Sequence, residues 1–306
     1  MILTVTLNTA LDVTYRVPRL VPHTSHRVAE VSERPGGKGI NVARVLAALG
    51  HEVTATGFAG TGPAGTLLRG LLAEAPGVRD ALLECGGDTR RTLAVVDAAS
   101  GDTTQFNEAG PLITPGEWSA FLRRYDGLLR QADAVALCGS LPPGVPVNAY
   151  AVLVRGARSA GVPVLLDTGG EALRRGVAAR PDMIKPNASE LASLTGSREP
   201  LPATLDARRR GAHAVVSSLG PNGLLAATAD GVWRAAPDRP LSGNPTGAGD
   251  SAVAGLLSAL VEGLDWPERL SRAAALSAAT VLAPAAGEFD PRAYERLLAA
   301  VRVVPE

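Results

Sequence analysis

From Thr114 onward the sequence alternates between short apolar runs and longer stretches with helical periodicity. The runs at 134–137, 162–166 and 214–218 read as strands, and the stretches at 114–131, 148–160, 188–194 and 203–210 read as helices. Each strand ends in a Gly-rich or polar segment before the next helix starts. Such repetition cannot be satisfied by hairpins alone. It calls for crossovers that lay strands side by side in parallel, with helices on both faces of the sheet. Residues 2–7 and 53–59 read as further strands, 66–73, 267–283 and 291–301 as helices, and 223–228 with 231–235 as a hairpin. Only 4% of the residues are aromatic against 46% apolar, so Ala, Val and Leu must fill the core, which suits helices packed on a sheet. One three-layer α/β/α domain over 1–306 is expected; that length can bury a large core.

A second, smaller sheet is expected beside it. Residues 26–33 alternate in character like a half-exposed strand from which Arg27 projects. Residues 92–97 and 103–106 flank the turn Ala98-Ala99-Ser100-Gly101-Asp102, a hairpin pattern with Arg90 and Arg91 at its edge. Discontinuous segments at about 12–35 and 88–108 would then make a lid or an interface.

Charge and composition exclude several classes. Thirty Lys+Arg balance thirty Asp+Glu, so nothing steers the chain to nucleic acid or to an acidic membrane, and no aromatic platform for bases is evident. Two cysteines, Cys85 and Cys138, make no disulfide framework. The histidines His23, His26, His51 and His213 lack metal-ligand spacing. No basic n-region precedes the first strand and no uninterrupted apolar run reaches membrane-spanning length, so a cytoplasmic protein is expected.

Chemistry concentrates in Ser242-Gly243-Asn244-Pro245-Thr246-Gly247-Ala248-Gly249-Asp250-Ser251. Two glycines about Ala248 let backbone N–H groups converge, and a helix starting there aims its positive end at the same point. Asp250 beside this anion hole is either a base for a hydroxyl proton or an N-terminal acid placed for the helix dipole. Gly36-Gly37-Lys38-Gly39 opens a helix and forms a second anion site, without the spacing of a Walker loop. Asp12, after the first strand, reads as a hydroxyl acceptor or a turn aspartate. Gly60-Thr61-Gly62-Pro63-Ala64-Gly65 matches G-x-G-x-x-G, but Glu84, at the spacing of the ribose acid, runs into the turn Cys85-Gly86-Gly87-Asp88. The loop therefore reads as a close approach of backbone to a ligand or a neighbouring loop. Asn187-Ala188-Ser189-Glu190 is a capping box that could also present Glu190 to a hydrated magnesium ion.

In their order along nearly the whole chain, these motifs resemble the ribokinase-like, PfkB-type carbohydrate kinases. The resemblance is carried by Gly36–Ala43 and Asn244–Asp250. Thr89-Arg90, Phe106–Pro111, Gly139-Ser140-Leu141-Pro142-Pro143-Gly144 and Lys185–Glu190 add the branch of 1-phosphofructokinases and tagatose-6-phosphate kinases. It implies ATP-dependent phosphorylation of a ketohexose monophosphate. Fructose 1-phosphate is the first expectation, with tagatose 6-phosphate and fructose 6-phosphate as alternatives. It also implies roles. Asp250 is the base, with Gly247, Ala248 and Gly249 as the anion hole. Asp12 and Asn41 take sugar hydroxyls. Arg27, Gly37, Lys38, Arg90 and Ser140 surround the sugar's phosphate. Lys185 and Asn187 serve ATP phosphates, with Ser218, Gly220, Gly223 and Asn244 near the nucleotide, and Glu190 reaches Mg2+ through water. The Gly60–Gly65 loop approaches the sugar, and two copies join through the lid. The chain departs from the branch at Thr9, where Pro is usual, and at Pro245-Thr246, where Thr-Val is usual. Pro245 removes one N–H, leaving those of Ala248 and Gly249 for the hole. The segment Ala283–Glu288 also differs, which leaves activation by a monovalent cation open. Against this reading, a free-sugar or nucleoside kinase would leave Arg27, Lys38 and Arg90 crowded without an anion. A nicotinamide oxidoreductase rests on Gly60–Gly65 alone, and an inactive sensor does not need Asp250.

Overall fold

A computed structural model describes residues 1–306 except Pro240, Ser242, Pro284 and Ala285; Ser242 of the glycine-rich stretch and Ala285 of the C-terminal segment thus lie outside the described residues. The strands are β1 (Ile2–Thr6), β2 (Ala10–Val17), β3 (Glu30–Gly36), β4 (Val53–Gly60), β5 (Val78–Asp80), β6 (Leu83–Cys85), β7 (Arg90–Asp97), β8 (Thr103–Asn107), β9 (Ala134–Cys138), β10 (Val164–Asp167), β11 (Met183–Ile184), β12 (Ala214–Ser218), β13 (Leu224–Ala227), β14 (Val232–Ala236) and β15 (Arg302–Pro305). The helices are α1 (Lys38–Ala48), α2 (Pro63–Ala73), α3 (Pro115–Leu129), α4 (Ala149–Ser159), α5 (Gly170–Ala178), α6 (Ala188–Thr195), α7 (Pro200–Arg209), α8 (Ala248–Val261), α9 (Trp266–Val281) and α10 (Pro291–Ala300).

The large sheet runs β15-β14-β13-β12-β11-β10-β9-β1-β4-β5, with β6 beside the far end of β4. It is parallel from β5 to β12, and β13, β14 and β15 add on antiparallel. The period of two along each strand decides which helices it meets. In β9, Val135 and Leu137 join the core against α3 to α7, while Ala134, Ala136 and Cys138 face α1, α8 and α9. Small side chains on the second face let α8 lie close to the sheet. Residues Asp250 to Ala259 of α8 are all buried, so this helix is apolar nearly all round because it is covered nearly all round. No helix among the described residues is long and apolar enough to cross a membrane.

The small sheet has the order β3-β2-β7-β8. Its hairpin β7–β8 agrees with the sequence pattern. Two features differ. Residues 10–17 form strand β2, paired in parallel with β7, where the sequence reading assigned no strand. The strand expected at 26–33 starts instead at Glu30, leaving Arg27 in the exposed connection before it. Leu11 and Val13 bury one face of the small sheet against Ala64 of α2. The opposite face, carrying Asp12 and Thr92, looks toward the edge of the large sheet where its parallel strands end.

β1 and β4 pair in parallel, with Thr6 opposite Gly57. Its φ is +144°, and a Cβ there would stand 1.8 Å from the Thr6 carbonyl oxygen. Gly57→Ala is expected to cost about 2–4 kcal/mol, from backbone strain and overpacking together. Urea unfolding of the two proteins side by side checks this, and an unchanged midpoint contradicts it.

Candidate active site

The site forms where two helix N-termini face the ends of β9, β10 and β11. α8 begins after Gly247, whose φ of +83° is left-handed and whose missing Cβ leaves room for Ala286, 2.7 Å from where that atom would be. No side chain caps this helix. The sequence reading gave the hole to the N–H groups of Ala248 and Gly249, but the Ala248 N–H donates to the Pro245 carbonyl at 3.1 Å. Thr246 N–H is likewise taken by Asn244 Oδ1 at 3.0 Å, so Asn244 shapes the turn. Among the described residues, the N–H groups of Gly247 and Gly249 have no acceptor. They stand at the positive end of the α8 dipole, where negative charge is favoured.

Asp250 lies at the third helical position, 7% exposed, and accepts a hydrogen bond from Asn41 Nδ2 at 2.9 Å. Asn41 comes from α1, whose first residue is Lys38 and whose entry is the left-handed Gly37. Lys38 Nζ is 3.3 Å from Asp167 Oδ2 at the end of β10. Lys185 Nζ, just after β11, is 3.5 Å from Asp167 Oδ1, and lies 3.4 Å from where a Cβ on Gly249 would be. Asp167 is 1% exposed, and neither of its carboxylate oxygens has a hydrogen-bond partner among the described residues. The two ammonium groups are what balance it.

Charge is thus buried on both sides of the cleft. Burial pushes the Asp250 carboxyl up to about 6; Lys38 opposes this, Asp167 adds to it, and the Asn41 hydrogen bond and Lys185 pull it back. Burial alone would lower the Lys38 ammonium, but Asp167, then Asp250 and Glu190, outweigh it and hold Lys38 above the ordinary lysine value. Asp12, in β2, is also pushed to about 6 by burial, with Arg90 and the Thr92 hydroxyl opposing.

On the side of the small sheet Arg90 opens β7 in register with Ala10. Its Nε donates to the Asn8 carbonyl at 3.2 Å and its Nη1 to Thr92 Oγ1 at 3.4 Å. Asn8 in turn donates through Nδ2 to Ser140 Oγ at 3.1 Å, after β9. The Tyr150 hydroxyl holds that strand end by donating to the carbonyls of Cys138 and Gly139. Asn187 and Glu190 exchange the two hydrogen bonds of a capping box, each at 2.9 Å, and both also line the cleft.

The cleft so formed has a volume of about 1140 Å³. It gathers Asp12, Gly37, Lys38, Asn41, Arg90 and Ser140, and also Lys185, Asn187, Glu190, Ser218, Gly247, Gly249 and Asp250. The structure does not bring Arg27 to this cleft of its own chain; the residue is exposed ahead of β3. Asn244, Ala248, Gly220 and Gly223 do not line it either, the last two flanking a 3-10 turn beyond Ser218. The Gly60–Gly65 loop is absent from its walls as well and lies against residues 85–89, the neighbouring-loop alternative. The sequence argument that Lys38 and Arg90 lack an anion does not hold, because Asp167 and Asp12 stand beside them. Asp167, Asn8 and Thr92 are cleft residues that the sequence reading gave no role. For Asp167 the available signal was its place at a strand end before Thr168-Gly169-Gly170.

Residues 4–293 match the pfkB family of carbohydrate kinases, and the chain belongs to that family. It is an ATP-dependent sugar kinase. It is 39% identical over 312 residues to the 1-phosphofructokinase of Rhodobacter capsulatus, covering 99% of this chain and 96% of that protein. A structure described as a possible 1-phosphofructokinase from Thermotoga maritima superposes with a TM-score of 0.92 at 27% identity, covering 100% of this chain and 99% of that one. Phosphofructokinase-2 from Escherichia coli gives a TM-score of 0.89 at 30% identity, with coverages of 97% and 98%. A tetrameric inhibited form of that enzyme is also known.

The raised carboxyl at position 250 has a consequence for stability. Its folded pKa of about 6 exceeds the ordinary 3.8, so the folded state binds its proton more tightly than the unfolded chain does. Above about pH 6 the folded protein carries the cost of a buried charge; the cost shrinks as pH falls through 6 and vanishes below about 4. Asp250→Asn keeps an acceptor for Asn41 and removes that cost. The variant is expected to melt higher than the parent at pH 7.5, with the gap closing toward pH 4. A lower melting temperature at pH 7.5 contradicts the burial argument.

Proposed function

We propose that this kinase transfers the γ-phosphoryl group of ATP to the free hydroxyl of a ketohexose monophosphate, converting fructose 1-phosphate to fructose 1,6-bisphosphate. The observation that carries the transfer chemistry is the position of Asp250. It is a buried carboxyl beside uncapped N–H groups, held by Asn41 and ionised above about pH 6. There it can take the acceptor hydroxyl's proton while the Gly247 and Gly249 N–H groups, Lys185 and the α8 dipole hold the transferring phosphoryl group. Asp12 and Asn41 take sugar hydroxyls. Lys38, Arg90 and Ser140 receive the phosphate already on the sugar, which Gly37 lets approach. Lys38 keeps two more N–H donors beyond the one Asp167 can use, and the Arg90 fork keeps Nη2. The likeness to the Rhodobacter capsulatus 1-phosphofructokinase over nearly the whole chain supports fructose 1-phosphate over tagatose 6-phosphate or fructose 6-phosphate.

The residues present fit a magnesium ion on the nucleotide phosphates. Mg2+ usually takes one or two carboxylates and fills its shell with water and phosphate oxygens. No cluster of three acidic, His or Cys ligands lies among the described residues. Glu190 has one oxygen in its capping box and the other without a hydrogen bond at the cleft, while Asp167 is taken by the two lysines. Glu190 would hold the ion through water, with Asn187 beside the ATP phosphates, and the ion would supply neutralisation of phosphate charge. Ser218 at the end of β12 lies on the nucleotide side. We also infer a homodimer through the lid, supported by Val31 at 57% and Phe106 at 59% exposure on the small sheet.

Asp250→Asn tests the assignment. The expected outcome is a fall in kcat of about a hundredfold or more, with ATP binding retained. Near-normal turnover would mean that Asp250 serves only the helix dipole.

A further inference from the structure

The Gly60–Gly65 loop takes no part in the cleft, yet it is tightly bonded. Helix α2 starts behind it at Pro63, with neither a capping side chain nor an acid in its own first turn. The acid comes from elsewhere in the chain. Asp88 Oδ1 accepts from the Gly65 N–H at 3.1 Å, and Oδ2 from the Ala64 N–H at 3.4 Å. The same carboxylate accepts the Thr89 N–H at 2.8 Å, and the Thr89 hydroxyl accepts the Gly60 N–H at 2.9 Å. The carbonyls of Cys85 and Gly87 take the N–H groups of Thr61 and Gly62, both at 3.2 Å. A Cβ on Gly60 would stand 2.5 Å from the Thr89 nitrogen, and one on Gly62 would stand 2.5 Å from Asp88 Cγ. What resembles a pyrophosphate cradle is filled by a side chain of the protein itself.

Two residues past Asp88 stands Arg90, the first residue of β7. Its guanidinium reaches the cleft, steadied by Asn8 and Thr92. A long side chain delivers its fork accurately only if its own backbone is fixed to about 0.5 Å. Asp88 and Thr89 supply that fixing, because they bolt the start of the lid strand onto the helix end of the core. We propose that Asp88 is a positioning residue for recognition of the sugar's phosphate, acting through Arg90; this rests on the reading of Arg90 as a partner of that phosphate. A carboxylate at a helix N-terminus can also act for stability alone. The two roles differ in which kinetic constant they move.

The test measures KM for fructose 1-phosphate, KM for ATP, kcat and melting temperature for Asp88→Ala, Asp88→Asn, Arg90→Ala and the double variants Asp88→Ala/Arg90→Ala and Asp88→Asn/Arg90→Ala. Asp88→Ala is expected to raise the sugar-phosphate KM about tenfold, with ATP KM and kcat within about twofold. Asp88→Asn, which can still cap one N–H, is expected to recover most of that loss. Arg90→Ala is expected to raise the same KM roughly ten- to a hundredfold, and the double variant no further, because Asp88 has nothing left to position. Should Asp88→Ala not fold, Asp88→Asn carries the test through a smaller rise in the same KM that disappears when Arg90 is Ala. An unchanged sugar-phosphate KM in folded Asp88→Ala, or in Asp88→Asn where Asp88→Ala does not fold, or effects that add to those of Arg90→Ala, overturn the proposal. If Arg90→Ala raises KM and the Asp88 variants do not, the positioning role alone fails. If Arg90→Ala itself leaves KM unchanged, the phosphate reading of Arg90 fails and takes this proposal with it.

Discussion

The arrangement of the site depends on Asp167, a carboxylate buried between two lysines that arrive from opposite directions. Lys38 comes from the first turn of α1 and Lys185 from the end of β11, and Asp167 lies within 3.5 Å of both. A buried carboxylate without hydrogen bonds is costly unless cations balance it, and removing one member of such a set leaves the others uncompensated. Both ammonium groups are therefore held in place at the cleft by the same carboxylate. The same acid adds to the burial that lifts Asp250 to about 6. One buried carboxylate thus holds two cations at the cleft and adds to the burial that raises Asp250.

The fold brings these charges together by a simple rule. Parallel strands end at one edge, and each hands over to a loop and a helix N-terminus there. Asp167 ends β10, Ser140 and Lys185 follow its neighbours β9 and β11, and Asn41 and Asp250 sit in first turns of α1 and α8. Small residues on one face of the sheet let these two helices lie side by side, close enough for Asn41 to bond Asp250. The small sheet brings Asp12 and Arg90 over the same edge, and its root is fastened by the bonds between residues 60–65 and 85–89.

What could be read from the sequence was what is local. The βα alternation, the hairpin of β7 and β8, the capping box at Asn187, and the glycine turn into α8 are each encoded within a few residues. What escaped depends on distant partners. Residues 10–17, with Asp12, Thr14 and Arg16 among them, were not read as a strand because that strand exists only through pairing with β7 and β3. Arg27 seemed to project from a strand because 26–31 alternates in character, but the pairing starts at Glu30. The Ala248 N–H was expected to be free, and the Pro245 carbonyl that folds back onto it is a turn detail that composition does not reveal. Asp167 as counter-ion to two lysines, and Asp88 as cap of a helix 23 residues upstream, are visible only in three dimensions.

The central claim is that this cleft is built for a sugar that already carries a phosphate. The most direct measurement is ADP release at saturating magnesium-ATP with fructose 1-phosphate and with free fructose as acceptors. Contacts from Arg90 and Lys38 to a phosphate, each worth about 1.5–3 kcal/mol, predict a kcat/KM for fructose 1-phosphate larger by at least about a hundredfold. Comparable values for the two sugars would contradict the account.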